Sequence, residues 1–225
     1  MLHGAFFTYS FGRQYKLSDK YRIILPHIMG FGNHTEKVFD TEKVVEELRE
    51  LISGLGKRVV LAGFSLGAQL AYELLCNNQE LFEKAILVSP WLIKSRKEMP
   101  EIIRINERQL EDLKNKTKCR LISLMNGLPK AQRDEFIEQM QHVDIETVRN
   151  AVDNGIILTD SFRNVRVPVQ VLAGGKEQAS IIETAKRMSE MNPNCKYEIW
   201  QKAAHNIPPV FAKRFNDFIV KTMES

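Results

Sequence analysis

Long apolar runs are absent from these 225 residues, and none approaches the ~20 that a membrane-spanning helix needs. Cysteine is scarce too. Cys76, Cys119 and Cys195 stand far apart without a C-x-x-C pair, which argues against a zinc cluster or a disulfide framework. That usage suits a reducing compartment, and the expected location is the cytoplasm. The opening "MLHGAFFTYSFGRQYK" has no basic stretch followed by a clean apolar core and a small-residue cleavage site. Basic residues form no block with interleaved aromatics, and a net charge of +4 is mild, so no nucleic-acid partner is expected. None of the five histidines pairs with another at helical metal spacing beside a third ligand, so neither metal nor other cofactor is expected. Repeats and low-complexity tracts are missing.

What is present suits one soluble globular domain: 44% hydrophobic and 27% charged residues, in a chain long enough to bury a real core. Short apolar strands alternate with helices. Strands are expected at Tyr21 to Pro26, Arg58 to Phe64, Lys84 to Pro90, Val167 to Gly175 and in "KYEIWQ". Helices are expected in "DTEKVVEELRELISGLG", after Ser65, in "SIIETAKRMSEM" and in "PVFAKRFNDFIVKTM". Continuous apolar strands separated by helices predict an α/β fold, a mainly parallel sheet covered on both faces.

Residues 91–166 break this rhythm. They are charged, helix-prone and without a convincing strand, and they read as an insertion of several short helices. The core is then 1–90 together with 167–225.

Within the second apolar strand region, "VVLAGFSLGAQLAYELL" fences Ser65 between Gly63 and Gly67. A serine there suits a helix N-cap. Two flanking glycines suggest instead a turn so tight that neighbouring side chains must vanish. That is the mechanics of G-x-S-x-G, where the serine sits exposed on a strained strand-to-helix corner. The surroundings decide between the two. In an open parallel sheet, reactive groups collect at the carboxyl ends of the strands. Those ends offer, in chain order, the loop "HGAFF", Ser65, Glu177 after "VPVQVLAGG", and His205 after "KYEIWQ".

The order of loop, serine, carboxylate and histidine resembles the α/β-hydrolase family. The motifs that carry it are "HGA", "GFSLG", "GGKE" in place of the family's G-x-x-D, and "AAHN" in place of its G-H turn. The resemblance covers nearly the whole chain. It implies an open sheet of about six strands without the usual N-terminal hairpin, and a helical lid at 91–166. It also implies a catalytic triad of Ser65, Glu177 and His205, with backbone N–H groups of Ala5 and Leu66 as the oxyanion hole and Phe6 in reserve. Asp is commoner than Glu in the acid position, and "LPHIMGFGNH" is a loose version of the family's P-G-H-G turn.

Serine needs a base to remove its proton, and histidine, ionising nearest neutrality, is suited to the task. The carboxylate holds the imidazole tautomer and stabilises the imidazolium. Asp153, Asp160 and Glu98 lie in or beside the insertion and fit the acid's place less well. His3 is expected to prop the oxyanion loop, His27 and His34 to line the pocket or face solvent, and His142 to sit on a helix surface. Trp91, Leu92, Ile93, Met99, Ile102, Ile103, Leu121, Leu124, Met125, Phe136 and Met140 are available to pack the insertion or roof an apolar pocket. An excess of Lys and Arg between Lys94 and Arg120 suits a solvated face better than an anion site.

The expected activity is hydrolysis of a small-molecule carboxylic ester or thioester through an acyl-enzyme on Ser65. Two alternatives stand beside it: carbon–carbon bond cleavage with the same triad, and a ligand-responsive signalling or partner-binding protein on the same fold. Nothing in the sequence indicates an oligomeric state.

Overall fold

The computed structural model describes residues 1–224. Four strands form its sheet: β1 (Val59–Phe64), β2 (Phe82–Val88), β3 (Val169–Gly174) and β4 (Cys195–Trp200). They lie in the order β1-β2-β3-β4, and every pairing is parallel. All four carboxyl ends therefore open at one edge.

Side chains alternate across this sheet, as the pleat requires. Leu61, Ala85, Leu87 and Val171 belong to one core, while Ala62, Ile86, Val88 and Leu172 belong to the other. The first core receives α1 (Thr41–Ser53), α2 (Leu66–Asn78) and α7 (Ala179–Met191), the second α9 (Ala212–Glu224). Helix α1 shows the local logic. Asp40 caps it by accepting from the Lys43 N–H at 3.0 Å, and Val44, Leu48 and Ile52 bury one stripe at helical spacing.

Three expectations need correction. The sheet has four strands, not about six, and Tyr21 to Pro26 is not a strand. Strands are defined by consecutive ladder bonds, and that segment receives a single one, from the Met1 amine to Ile24 O at 2.7 Å. Leu2 does meet the sheet edge, bonding to Ala62 and Phe64, but as one isolated parallel bridge with Gly63 before the chain turns at Gly4. The last expected helix is two pieces, α8 (Ile207–Val210) and α9, with Phe211 between them outside helical geometry.

Between β2 and β3 run α3 (Met99–Lys114), α4 (Lys116–Met125), α5 (Lys130–His142) and α6 (Ile145–Val152), and no described residue there is in a strand. They are fastened to the N-terminal segment. Phe39 N donates to Thr147 Oγ1 at 3.1 Å, Asn150 Nδ2 to Phe39 O at 3.0 Å, and Thr8 Oγ1 to Gln139 Oε1 at 3.0 Å. Among the described residues no helix is long and apolar enough to cross a membrane.

Candidate active site

Ser65 sits between β1 and α2 with φ 54° and ψ −115°, a left-handed conformation that L-residues rarely hold. It makes no side-chain cap bond, so the helix-cap reading of this serine is set aside. Its glycine neighbours explain how the corner closes. A Cβ on Gly63 would stand 2.2 Å from Gly67 O, and one on Gly67 would stand 2.1 Å from Leu2 O. Both are collisions with backbone, which has nowhere to go.

The corner aims Ser65 Oγ at His205 Nε2, 2.9 Å away. On the other side of that ring, Nδ1 lies 2.5 Å from Glu177 Oε1. His205 comes from the loop after β4, its ring 5.0 Å between centroids from that of Phe64. Glu177 comes from the loop after β3. Its second oxygen accepts from the Gly174 N–H at 2.6 Å and from Ser89 Oγ at 2.9 Å. The Glu177 side chain is 1% exposed and that of His205 44% exposed. A buried carboxylate with three hydrogen-bond partners and a half-open imidazole together make a polarised relay ending on an accessible hydroxyl.

Ser89 went unassigned in the sequence, although the same signal marks it. It follows β2 directly, at the one carboxyl end to which no role was given. It is fully buried and also takes a positive φ, 54°.

The N–H of Leu66 opens α2, where helix geometry leaves it no internal acceptor. Ala5 and Phe6 flank the same cleft, Phe6 with φ 61°, and among the described residues neither N–H donates within the chain. His3 props this loop. It is 2% exposed, Nδ1–H donates to Gly4 O at 2.8 Å, and Nε2 accepts the Ile28 N–H at 2.9 Å. Burial pulls its pKa down to about 4, with a smaller push the same way from His27.

The remaining candidates fall elsewhere. His27 accepts from Asn33 N, His34 sits beside Glu36, and neither lines the cleft. His142 is exposed on α5 beside Glu138. Asp160 pairs with Arg163 at 2.9 Å on the surface, and Asp153 acts on Lys94. No described group of three or more His, Cys, Asp or Glu is placed to hold a metal.

Around Ser65 opens a cleft of about 500 Å³ lined by residues of both core and insertion. Of the apolar residues available to pack the insertion or roof a pocket, Trp91, Ile102 and Phe136 line it, joined by Ile105, Leu113 and Ile122. Leu121, Leu124 and Met125 face solvent instead. Of the cations between Lys94 and Arg120, none reaches the cleft, whose one lysine is Lys176. A second groove of about 390 Å³, bordered by Leu48, Ile52 and Val60, contains none of the three relay residues.

Solved structures share this fold across nearly the whole chain. MenH from S. aureus matches at 19% identity and a TM-score of 0.74, covering 99% of this chain and 91% of that one. An esterase from Exiguobacterium antarcticum matches at 17% and 0.75, covering 100% and 91%. The meta-cleavage product hydrolase CumD from Pseudomonas fluorescens matches at 15% and 0.73, covering 99% and 89%. No curated protein sequence matches the chain. The family model described as serine aminopeptidase, S33 matches residues 25–208. The chain therefore belongs to the serine aminopeptidase S33 family and is a serine-hydrolase-type enzyme on the α/β-hydrolase fold.

Proposed function

We propose that Ser65, His205 and Glu177 form the catalytic triad of an enzyme that hydrolyses a small-molecule carboxylic ester or thioester. The observation that carries this reading is the continuous relay, 2.9 Å from Ser65 Oγ to His205 Nε2 and 2.5 Å from His205 Nδ1 to Glu177 Oε1. As Oγ attacks the carbonyl carbon, Nε2 takes its proton and the carbonyl electron pair moves onto oxygen. Leu66 N–H, with Ala5 or Phe6 N–H, receives that oxyanion; one such donor is typically worth about 3 kcal/mol in the transition state. Collapse expels the alcohol or thiol, which leaves with the proton from Nε2. Water then attacks the acyl-serine, His205 takes its proton, and the acid departs as Oγ is reprotonated.

Residues 91–166 act as a lid over a core of 1–90 and 167–225, supplying Ile102, Ile105 and Ile122 to the roof of an acyl site. Cys76, Cys119 and Cys195 are all free thiols, which supports a cytoplasmic location.

The test is mass spectrometry after a fluorophosphonate probe, then a screen of acyl chain lengths. One adduct is expected, on Ser65, and Ser65→Ala should neither label nor turn over ester. A stoichiometric adduct on another serine, with Ser65 unmodified, overturns the assignment.

A further inference from the structure

Gln69 lies one helical turn beyond Ser65 on α2, is only 5% exposed, and lines the cleft. Which end of its amide faces the cleft follows from its neighbours. Asn154 Oδ1 accepts from Lys94 Nζ at 2.6 Å and from Ile156 N at 3.0 Å. Asn154 Nδ2 donates to Ala151 O at 3.0 Å and to Gln69 Oε1 at 2.9 Å. Turning the Asn154 amide over would set its N–H groups against two other donors and its oxygen against a carbonyl. Asn154 thus has one workable orientation. An N–H donor from Asn154 demands an oxygen from Gln69, so Gln69 Nε2 is the end left over. Among the described residues that Nε2 has no partner.

The Lys94 end of the chain is anchored as well. Its ammonium lies 5.1 Å from the centre of the Trp91 ring, and burial draws its pKa down to about 8 against the opposing pull of Asp153. Lysine donates to Asn154 Oδ1 whether charged or neutral, so the orientation of both amides persists. That N–H2 is open to the cleft and not among the buried unpartnered atoms, so it is water that satisfies it there, and a substrate that displaces this water must supply an acceptor in its place.

We propose that Gln69, oriented by Asn154 and Lys94, is a specificity-determining donor for a neutral oxygen on the substrate, an ether, keto or hydroxyl oxygen away from the scissile carbonyl. This inference rests on Ser65 being the nucleophile. The favoured substrate class is an oxygen-bearing ester or thioester, not a plain alkyl one. An ether oxygen that gives up its water binds worse than a methylene unless a donor meets it. The cleft also holds Asn106, Gln109, Asn126, Lys176, Gln178 and Asn206, so the preference identifies Gln69 only where it is lost in a Gln69 variant.

The experiment compares labelling rates at pH 7 for fluorophosphonates with alkyl chains and for isosteres in which one methylene at a time is an ether oxygen. For wild type, at least one oxygen position should label Ser65 tenfold or more faster than its alkyl counterpart. In Gln69→Met, close in volume, that ratio should fall to one or below. Asn154→Asp offers Gln69 two acceptor oxygens, so its amide turns over and points Oε1 into the cleft. The same ratio should collapse there too, in favour of chains carrying a hydroxyl or amide N–H. Equal rates for wild type at every oxygen position, or a ratio unchanged in Gln69→Met, overturn the inference while Ser65 remains the nucleophile. Absence of any adduct on Ser65 is a different failure, that of the nucleophile itself.

Discussion

At the scale of residues, the proposed catalytic carboxylate depends on a serine that does no chemistry. Ser89 donates to Glu177 Oε2 and leaves Oε1 for His205. A hydrogen bond to a charged, buried group is worth about 1.5–3 kcal/mol. Ser89→Ala should therefore lower kcat about tenfold or more, with KM within about twofold, because only the relay is disturbed. Ser89 also takes a positive φ, which costs a residue with a Cβ about 1–2 kcal/mol. Ser89→Gly removes the same hydrogen bond and relieves that cost. It should match Ser89→Ala in kcat yet unfold at a higher urea concentration, and equal midpoints would show that the backbone there is unstrained. Glu177→Gln goes further, favouring the wrong imidazole tautomer; an amide swap of this kind lowers turnover ~10⁴-fold in the serine-protease triad. The expected loss here is about 10²–10³-fold, because the half-open His205 admits water as a substitute. A kcat within threefold of wild type would show that Glu177 does not orient His205.

At the scale of elements, the sequence could bring Ser65, Glu177 and His205 together as candidates because each stands at the carboxyl end of a strand, where a parallel sheet gathers reactive groups. Gln69 was not legible, since nothing in "GAQLAYELL" tells an amide facing a cleft from one packed in a core. Its role depends on Asn154, 85 residues away, and contacts of that range leave no periodic trace. The insertion was legible as several helices but not in its attachment. Phe136 packs edge-on against Phe7 at 5.3 Å between ring centroids, and α6 bonds to Phe39, so α5 and α6 serve the core as well as the cleft. Excising 91–166 would therefore strip core contacts along with the proposed roof. A point change reads the roof alone. Ile102→Trp, on α3 above the cleft, narrows the acyl site and should lower the kcat/KM ratio of long to short acyl esters about tenfold or more, one methylene being worth about 1–3 kcal/mol in such a pocket. An unchanged ratio in the folded variant would place the acyl chain elsewhere.

At the scale of the whole molecule, residues 2–4 border the candidate site and also tie it to the sheet edge, and this gives the edge a group that responds to acid. Leu2 bridges to β1, Gly4 lies against the elbow with its Cα hydrogens facing Phe64 and Ser65, and His3 ties that loop to Ile28. That both faces of the sheet would be covered was readable from its continuously apolar strands; which residue enters which core came with the structure. The number of strands was not readable, because pairing at the β1 edge is decided by single backbone bonds and not by side-chain pattern. His3 makes this edge sensitive to pH. Its Nε2 already accepts a hydrogen bond, so protonation would set two donors against each other inside a buried pocket. With a pKa near 4 when folded and an ordinary value of 6.5, the unfolded chain binds a proton between those values that the folded chain refuses. Unfolding then takes up protons, and stability is complete above about pH 6.5 and drains away as the pH falls toward 4. By pH 5 the loss from this one residue is about 2 kcal/mol. His3→Gln keeps an acceptor for Ile28 N–H without a titrating ring, so it should start less stable at pH 7.5 yet lose less on going to pH 5. Urea midpoints of the two proteins at both pH values decide the matter. Parallel losses would show that the acid sensitivity lies outside this loop, whereas a shallower loss in His3→Gln identifies the histidine that holds the proposed oxyanion loop as the group through which acid unfolds the enzyme.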